Sequence, residues 1–230
     1  MTRKPTPPIR PARTEVPLSR FAVDAVLFDL DGTLVDSTAS VRRNWRKIAT
    51  MLGRDGEDLA GHLQGIPGRQ VLRMIEPGLS EQRIRELDQV LIDGEVTDTA
   101  DVVAAKGAAA LLSALPGDRW GIVTSGPRRL ARARLDAAGL PVPRILITAD
   151  DVVTGKPDPA PFRLGATQIG HPPERCLAVE DAPAGIASAR AAGCRTLGVL
   201  TTYPSLDADT VPDLTALTID VLDGGLTIAY

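Results

Sequence analysis

Short apolar segments recur along this chain and constrain its fold more than any other feature. Each is four or five residues long, and a stretch with helical periodicity separates most of them from the next. The segments are Ala25–Phe28, Trp120–Val123, Arg144–Ile147, Cys176–Val179 and Arg195–Val199. Apolar runs of this length are typical of parallel strands that are buried on both faces, so we expect five buried parallel strands.

Three of the stretches between these strands have helical patterns that stop at a glycine. Glycine commonly follows the last helical residue because it adopts the left-handed conformation without strain. The helices predicted in this way are Arg128–Ala138 before Gly139, Pro161–Ile169 before Gly170, and Pro183–Ala192 before Gly193. Alternating strands and helices predict an α/β fold, a doubly wound, Rossmann-like parallel sheet.

The stretch from about Ser40 to Thr99 interrupts this alternation. It contains no strand-like run, and turns with glycine or proline join its three helix candidates, Val41–Leu52, Gly68–Ile75 and Ser80–Gly94. We therefore predict an inserted helical domain at residues 39–99. The core domain would comprise residues 21–38 and 100–230, and residues 1–20 would form a flexible tail rich in proline and arginine.

Composition restricts the partners of the chain. The formal net charge of −3 argues against nucleic acid, since binding to a phosphate backbone requires concentrated lysine and arginine. No apolar run reaches the roughly 18 residues that span a bilayer. Cys176 and Cys194 lie in apolar stretches, which favours free thiols in a reducing compartment. We expect a cytoplasmic monomer or homodimer with no nucleic-acid or membrane partner.

Polar residues follow the predicted strands, at the edge where open parallel sheets bind their ligands. Asp29 and Asp31 follow the first strand, Thr124 and Ser125 the second, and Glu180 and Asp181 the fourth, while Lys156 lies in the loop after the third. Carboxylates, hydroxyls and a lysine at one edge are the groups that metal-assisted phosphoryl transfer requires. The partner predicted for this edge is a small-molecule phosphate ester.

Four segments carry a family resemblance. DLDGTLVDS, VTSG, GKPDP and VEDAPAG, in this order and each after a strand, resemble the motifs of the haloacid dehalogenase superfamily over residues 22–203. The resemblance implies that the helical insertion is a cap over the active site. It is broadest with the phosphatases of hexitol, deoxyglucose and glycerol phosphates.

The strand-end carboxylates differ in their expected roles. Asp29 is the expected nucleophile, because a carboxylate is ionised at neutral pH and needs no base to activate it. Asp31 points to the same side of the strand. By resemblance, Asp31 is the general acid that protonates the leaving alkoxide and then the base for the attacking water, which requires a raised pKa.

Several carboxylates around a phosphate would repel one another without a cation, and oxygen ligands favour Mg²⁺. The expected metal ligands are Asp29, Asp31 through its main-chain carbonyl, Asp181, and Glu180 through a water by resemblance. Lys156 would balance the remaining charge at the nucleophile and the phosphate.

Other groups would hold the ester. The Thr124 hydroxyl and the Ser125 amide are expected to bind phosphate oxygens. Arg69, in the turn Gly65–Arg69, is the candidate for substrate binding and specificity, although it could equally be a solvated residue at the start of a helix.

Alternative activities within this family stay open at the level of sequence. Hexose-phosphate mutases of the family carry a histidine on the first cap helix, where this chain has Val41, and phosphonate hydrolases use a cap lysine, for which Lys47 would be the candidate. Dehalogenases do not need Asp31 as an acid. A catalytically silent binding protein is disfavoured because every chemical position is filled. The favoured prediction is a Mg²⁺-dependent phosphatase.

Overall fold

The computed structural model describes residues 19–54, 59, 65–222 and 224–230. The predicted tail therefore lies outside the described residues, except for Ser19 and Arg20, and Arg20 already begins the first strand. Among the helices of the described part, none combines the length and the apolar character that a membrane crossing demands.

The described residues form eleven strands and seven α-helices. The strands are β1 (Arg20–Val23), β2 (Ala25–Phe28), β3 (Val35–Asp36), β4 (Val103–Ala104), β5 (Trp120–Val123), β6 (Ile145–Ile147), β7 (Cys176–Glu180), β8 (Arg195–Val199), β9 (Asp209–Val211), β10 (Thr218–Leu222) and β11 (Gly225–Ala229). The helices are α1 (Thr38–Met51), α2 (Gly68–Ile75), α3 (Glu81–Thr97), α4 (Ala108–Ala114), α5 (Arg128–Ala137), α6 (Ala160–Ile169) and α7 (Pro183–Ala192).

Six parallel strands form the central sheet in the order β6-β5-β2-β7-β8-β9. Five of them are the predicted strands, with ends that differ by at most one residue. The sixth, β9, was not predicted because only Val211 of its three residues is buried, so the segment has no apolar run. The order places β2 in the middle of the sheet, between β5 and β7.

Helices cover both faces of this sheet. In β2, Val26 and Phe28 share one hydrophobic cluster with residues of α4 and α5, whereas Leu27 belongs to a second cluster with residues of α6 and α7. Successive residues of a strand point to opposite faces, which explains this division. The doubly wound α/β fold predicted from the sequence is confirmed.

A second sheet was not predicted. β1, β11 and β10 pair antiparallel in that order, and Leu226 and Ile228 of β11 join the cluster on the α4 and α5 side. β10 has one half-buried residue among exposed ones, and β11 combines half-buried and buried residues. Because they lack the continuous apolar runs of the central strands, the search for buried strands passed over them.

The helices α1, α2 and α3, which we call the helical insertion, lie between β3 and β4 in the chain. β3 pairs antiparallel with β4, so the chain leaves and re-enters the core at one place. The three helices share a separate hydrophobic cluster that includes Trp45, Leu72 and Leu87. The three predicted helices are confirmed, and α3 continues three residues beyond its predicted end, to Thr97. It packs against α5 of the core.

Candidate active site

The strand ends bring the predicted polar residues together. Asp29 follows β2 directly, Thr124 follows β5, and Glu180 is the last residue of β7. Since β2 lies between β5 and β7, these three residues meet at the middle of the carboxyl edge. Main-chain hydrogen bonds continue past the strands, with the Asp29 N–H donating to the Val179 carbonyl at 2.9 Å.

Lys156 bridges the carboxylates of Asp29 and Glu180. Its Nζ donates to Asp29 Oδ1 at 2.6 Å, to Glu180 Oε1 at 2.5 Å and to the Val123 carbonyl at 2.8 Å. Only 3% of Lys156 is exposed. The two carboxylates raise the pKa of its ammonium group against the effect of burial, so the lysine is charged. It orients Asp29 Oδ1, and among the described residues no donor reaches Asp29 Oδ2.

Glu180 is held tightly by main-chain groups at the start of α7. Its Oε2 accepts hydrogen bonds from the N–H groups of Asp181 and Ala182, at 3.0 and 3.1 Å. The close approach requires a glycine at position 185, because a Cβ on Gly185 would lie 1.7 Å from Glu180 Oε1. The residues PAG of the fourth motif therefore leave room for the Glu180 carboxylate.

Asp181 is placed by the turn that follows Asp31. Gly32 has a φ of +87°, and a Cβ there would lie 2.0 Å from Asp181 Oδ2, so glycine is required both by conformation and by space. The Thr33 hydroxyl donates to Asp181 Oδ1 at 3.5 Å. Gly32 and Thr33 of the first motif thus position a carboxylate of the fourth.

Asp29, Glu180 and Asp181 form a buried cluster that could hold a metal ion, with one carboxylate oxygen of each within 4.8 Å of the others. Burial raises the pKa of Asp29 well above its usual value, where the charge of Lys156 lowers it and the other two carboxylates raise it again. Burial, with the charge of Glu180, also raises the pKa of Asp181 to about 7. Three carboxylates face one ammonium group, so a cation at this position would favour their ionised forms.

Asp31 lies outside this cluster and makes different contacts. Its Oδ1 accepts a hydrogen bond from the Ser37 hydroxyl at 2.8 Å, and its Oδ2 accepts one from Arg134 Nη1. The side chain is therefore oriented toward the helical insertion and α5. This is compatible with the prediction that only the main-chain carbonyl of Asp31 binds a metal, which stays a prediction.

Arg134 is a site residue that the sequence analysis missed. It is 4% exposed, and its Nη2 donates to Glu95 Oε2 of α3 at 2.6 Å, while Nη1 binds Asp31. It is one of four arginines in the segment RRLARARLDA, so composition alone does not distinguish it from the exposed ones. The available signal was helical spacing, because Arg134 follows the buried Leu130 by four residues and so falls on the buried face of α5.

Glu95 was missed as well, at the end of a helix whose exposed face is highly charged. Burial raises the pKa of its carboxyl group to about 7, partly offset by the charge and hydrogen bond of Arg134, and Asp31 and Asp88 raise it further. Glu95 and Arg134 bridge the helical insertion and the core within the interior of the protein.

A cavity of about 370 Å³ lies between the sheet edge and the helical insertion. Asp29, Asp31, Thr124 and Ser125 line it from the core. Lys156, Glu180 and Asp181 are not among its lining residues. A substrate in the cavity would therefore meet the unbonded Oδ2 side of a carboxylate whose other oxygen is held by a lysine.

Arg69, for which the sequence predicted substrate binding, also lines the cavity, and its role stays a prediction. Its Nε donates to Asp88 Oδ2 at 2.7 Å, and 54% of its side chain is exposed. The turn before it contacts the core, because the Ser125 hydroxyl donates to the Gly65 carbonyl at 3.4 Å. Arg69 is thus at the entrance, with its charge already paired.

Comparison with known proteins yields a single family. A family model described as haloacid dehalogenase-like hydrolase matches residues 23–193. Hexitol phosphatase A of Escherichia coli is 45% identical over 175 residues, which cover 75% of this chain and 81% of that protein. Glycerol-1-phosphate phosphohydrolase 2 of Saccharomyces cerevisiae is 32% identical, over 83% of this chain and 79% of its own length.

Solved structures show the same fold. A hydrolase from Pseudomonas syringae superposes with a TM-score of 0.71 at 29% identity, covering 78% of this chain and 85% of that chain. A β-phosphoglucomutase from Clostridium difficile superposes with a TM-score of 0.74 at 22% identity, covering 85% and 93% respectively. The second likeness concerns the fold alone.

Proposed function

Because the chain belongs to the haloacid dehalogenase-like hydrolases and is a phosphatase of that family, we propose that it hydrolyses small sugar, hexitol or glycerol phosphates through an aspartyl-phosphate formed on Asp29. The observation that carries this proposal is the Asp29 carboxylate at the cavity floor, held by Lys156 through one oxygen. The relatives named as hexitol and glycerol-phosphate phosphatases support the choice of substrate class.

In the first half of the reaction, Asp29 Oδ2 attacks the phosphorus and the P–O bond to the leaving alkoxide breaks. Asp31 lines the same cavity two residues away and donates its proton to that alkoxide. Ser37 and Arg134 hold the two oxygens of Asp31 and fix its orientation. In the second half, Asp31 takes a proton from water as it attacks the phosphorus, and Asp29 is released.

The residues present fit a divalent cation with oxygen ligands, and we propose Mg²⁺. The fit rests on three buried carboxylates that oppose one lysine, with the pKa values of Asp29 and Asp181 raised. Asp29, Asp181 and the main-chain carbonyl of Asp31 would bind it directly, and Glu180 through a water. When bound, Mg²⁺ would supply positive charge to the phosphoryl group during transfer.

The phosphate oxygens would be bound by groups at the end of β5. Thr124 is buried and lines the cavity, and its Oγ accepts a hydrogen bond from the Gly126 N–H at 3.2 Å. The Thr124 hydroxyl proton and the Ser125 amide are then available to the phosphate. Lys156 contributes its charge through Asp29, and Arg69 would contact the substrate at the entrance.

We also propose the division into a core of residues 21–38 and 100–230 and a cap of residues 39–99. The hydrophobic cluster of the helical insertion is separate from the two clusters of the sheet, which supports this division. A cap over the cavity would exclude bulk water until the ester is bound.

Water is the favoured final acceptor of the phosphoryl group. Val41 lines the cavity, and its apolar side chain offers no group that could transfer a proton to or from a second sugar hydroxyl. This favours hydrolysis over the mutase alternative. Incubation with glucose 1-phosphate and a bisphosphate activator should therefore release phosphate and yield no isomer.

The test is phosphate release from a panel of hexitol, sugar, glycerol and glycolate phosphates, with Mg²⁺ and with excess EDTA. We expect turnover that requires the metal and is restored by its addition. Trapping with beryllium fluoride should mark Asp29. Turnover that survives EDTA would contradict the metal assignment, and a chain inactive on every ester with Mg²⁺ would contradict the function.

A further inference from the structure

We propose that Glu95 determines substrate specificity by accepting hydrogen bonds from hydroxyl groups of the leaving group, and that Arg134 is a positioning residue that orients it. The inference rests on the proposed phosphatase function and names the residues that would recognise the neutral, polyhydroxylated alcohol of its substrates. It assigns this role to residues outside the four sequence motifs and outside the turn Gly65–Arg69.

The first argument is location. Glu95 of α3 and Arg134 of α5 both line the cavity that contains Asp29 and Asp31. The two side chains come from opposite sides of the boundary between the helical insertion and the core, and meet at 2.6 Å. A leaving group attached to a phosphate at Asp29 has to occupy the remainder of this cavity, which Glu95 and Arg134 line.

The second argument is the hydrogen-bonding capacity of Glu95. Its Oε2 accepts from Arg134, but among the described residues no donor reaches Oε1, although Glu95 is only 6% exposed. Oε1 is not sealed in the interior, since the buried side-chain atom without a partner among the described residues is Ser40 Oγ. Oε1 is therefore an acceptor at the cavity to which a ligand hydroxyl would donate. The hydrogen bonds of Arg134 in the described part of the chain go to Glu95 Oε2 and to Asp31, which leaves Oε1 to a ligand.

The third argument is charge. Arg134 lies between the carboxyl groups of Asp31 and Glu95, so its positive charge is already paired. The other ion pair of the cavity, Arg69 with Asp88, is neutral as a unit. A leaving group that carries its own carboxylate would meet no unpaired cation among the described lining residues, whereas hydroxyl groups would find acceptors.

The other residues that line the cavity are mostly apolar, so only a few side chains can form hydrogen bonds with the substrate hydroxyls. Trp45, Ile66, Leu91 and Leu130 make much of the wall apolar and suit the carbon skeleton of the alcohol. Binding sites of this kind use a small number of placed polar groups to orient the ligand. Ser37 and Arg134 both contact the proposed acid Asp31, but Glu95 is the carboxylate of the wall that is connected to Asp31, through Arg134.

The experiment compares matched esters, a hexitol 6-phosphate against n-hexyl phosphate and glycerol phosphate against n-propyl phosphate, with phosphoglycolate as the carboxylate case. In the unmodified protein we expect kcat/KM to be highest for the hydroxylated member of each pair. In Glu95→Ala, kcat/KM for the hydroxylated esters should fall about 10–100-fold, mainly through KM, because a hydrogen bond to a charged group is lost. The loss for the alkyl esters should stay within about threefold.

Asp93→Ala is the matched control. Asp93 lies two residues from Glu95 on α3 and also bridges to α5, through Arg129, but it is exposed and does not line the cavity. It should leave the preference for hydroxylated esters unchanged. Glu95→Gln retains one carbonyl acceptor and the shape of the side chain, so it should recover part of the preference and serves as the folded variant if Glu95→Ala is unstable.

The outcomes separate the two proposals. Turnover of the alkyl esters by the unmodified protein supports the phosphatase function independently of Glu95. If the unmodified protein turns over neither alkyl nor polyol esters, both the phosphatase function and the role of Glu95 are overturned. Equal losses on alkyl and polyol esters in the Glu95 variants, or the same loss of preference in Asp93→Ala, would show a structural role and overturn the inference. A preference of the unmodified protein for phosphoglycolate would overturn it as well.

Discussion

The floor and the wall of the cavity are built differently. The floor groups Asp29 and Thr124 stand at the ends of adjacent parallel strands, with Glu180 at the end of the next strand, and main-chain pairing sets their spacing. The wall groups Glu95 and Arg134 stand on two helices that meet only through side chains. The difference teaches that the groups proposed to react belong to the sheet, while the groups proposed to select the alcohol depend on how the helical insertion packs on the core.

This comparison predicts that floor substitutions lower turnover of every ester, whereas wall substitutions change selectivity. The largest effect is expected for Asp29→Asn, which removes the nucleophile and should lower kcat at least about 10⁴-fold for polyol and alkyl esters alike. Phosphate release under single-turnover conditions measures it. Asp36→Asn, an exposed residue of the same motif, is the control and should retain full activity. Residual turnover near the unmodified level would remove Asp29 from its role.

Lys156→Gln should have the second largest effect on turnover. The change leaves Asp29 and Glu180 buried without their shared cation, so we expect kcat to fall about 10²–10³-fold and the chain to lose on the order of 3 kcal/mol of stability. Steady-state kinetics and urea unfolding measure the two effects. An unchanged ratio of polyol to alkyl turnover is expected, and a selective loss on polyol esters alone would break the distinction between floor and wall.

The pH dependence of the free energy of unfolding tests the raised pKa of Glu95 in the cavity wall. The pKa of Glu95 is about 7 in the folded protein against an ordinary 4.5, so between these values the folded state binds the proton more tightly than the unfolded state. Stability from this group is therefore present below about pH 4.5 and is lost as pH rises toward 7, by on the order of 2 kcal/mol. Urea unfolding of the unmodified protein and Glu95→Gln from pH 5 to 8 measures it. The difference in free energy of unfolding between the two proteins should change with pH. A difference that stays constant from pH 5 to 8 would contradict the raised pKa of Glu95.

Arg69→Ala should have the smallest effect. The guanidinium group is half-exposed and already paired with Asp88, so its removal should lower kcat/KM by less than about tenfold on any ester. Steady-state kinetics on the matched esters measures the change. A loss of about a hundredfold would place specificity in the turn Gly65–Arg69 and move it away from Glu95.

Candidate site residues could be predicted from the sequence where they come directly after a strand. Asp29, Thr124, Glu180 and Asp181 could be named because an apolar run marks each strand and the carboxyl edge of a parallel sheet collects what comes next. Lys156 could be named from its motif, but its contacts with Asp29 and Glu180 depend on a loop path that no local pattern specifies. The antiparallel sheet of β1, β10 and β11 was missed since its strands, which differ in burial, lack continuous apolar runs.

The sequence by itself determined the alternation of strands and helices, the position of the helical insertion and the carboxylates at the sheet edge, because hydrophobic periodicity and residues adjacent in the chain suffice for these. Only the tertiary structure decided that Arg134 joins Asp31 to Glu95. The two partners of this arginine lie 103 and 39 residues away from it, on elements whose relative placement results from packing. Local patterns cannot encode such a contact, since burial of the arginine depends on all three elements at once.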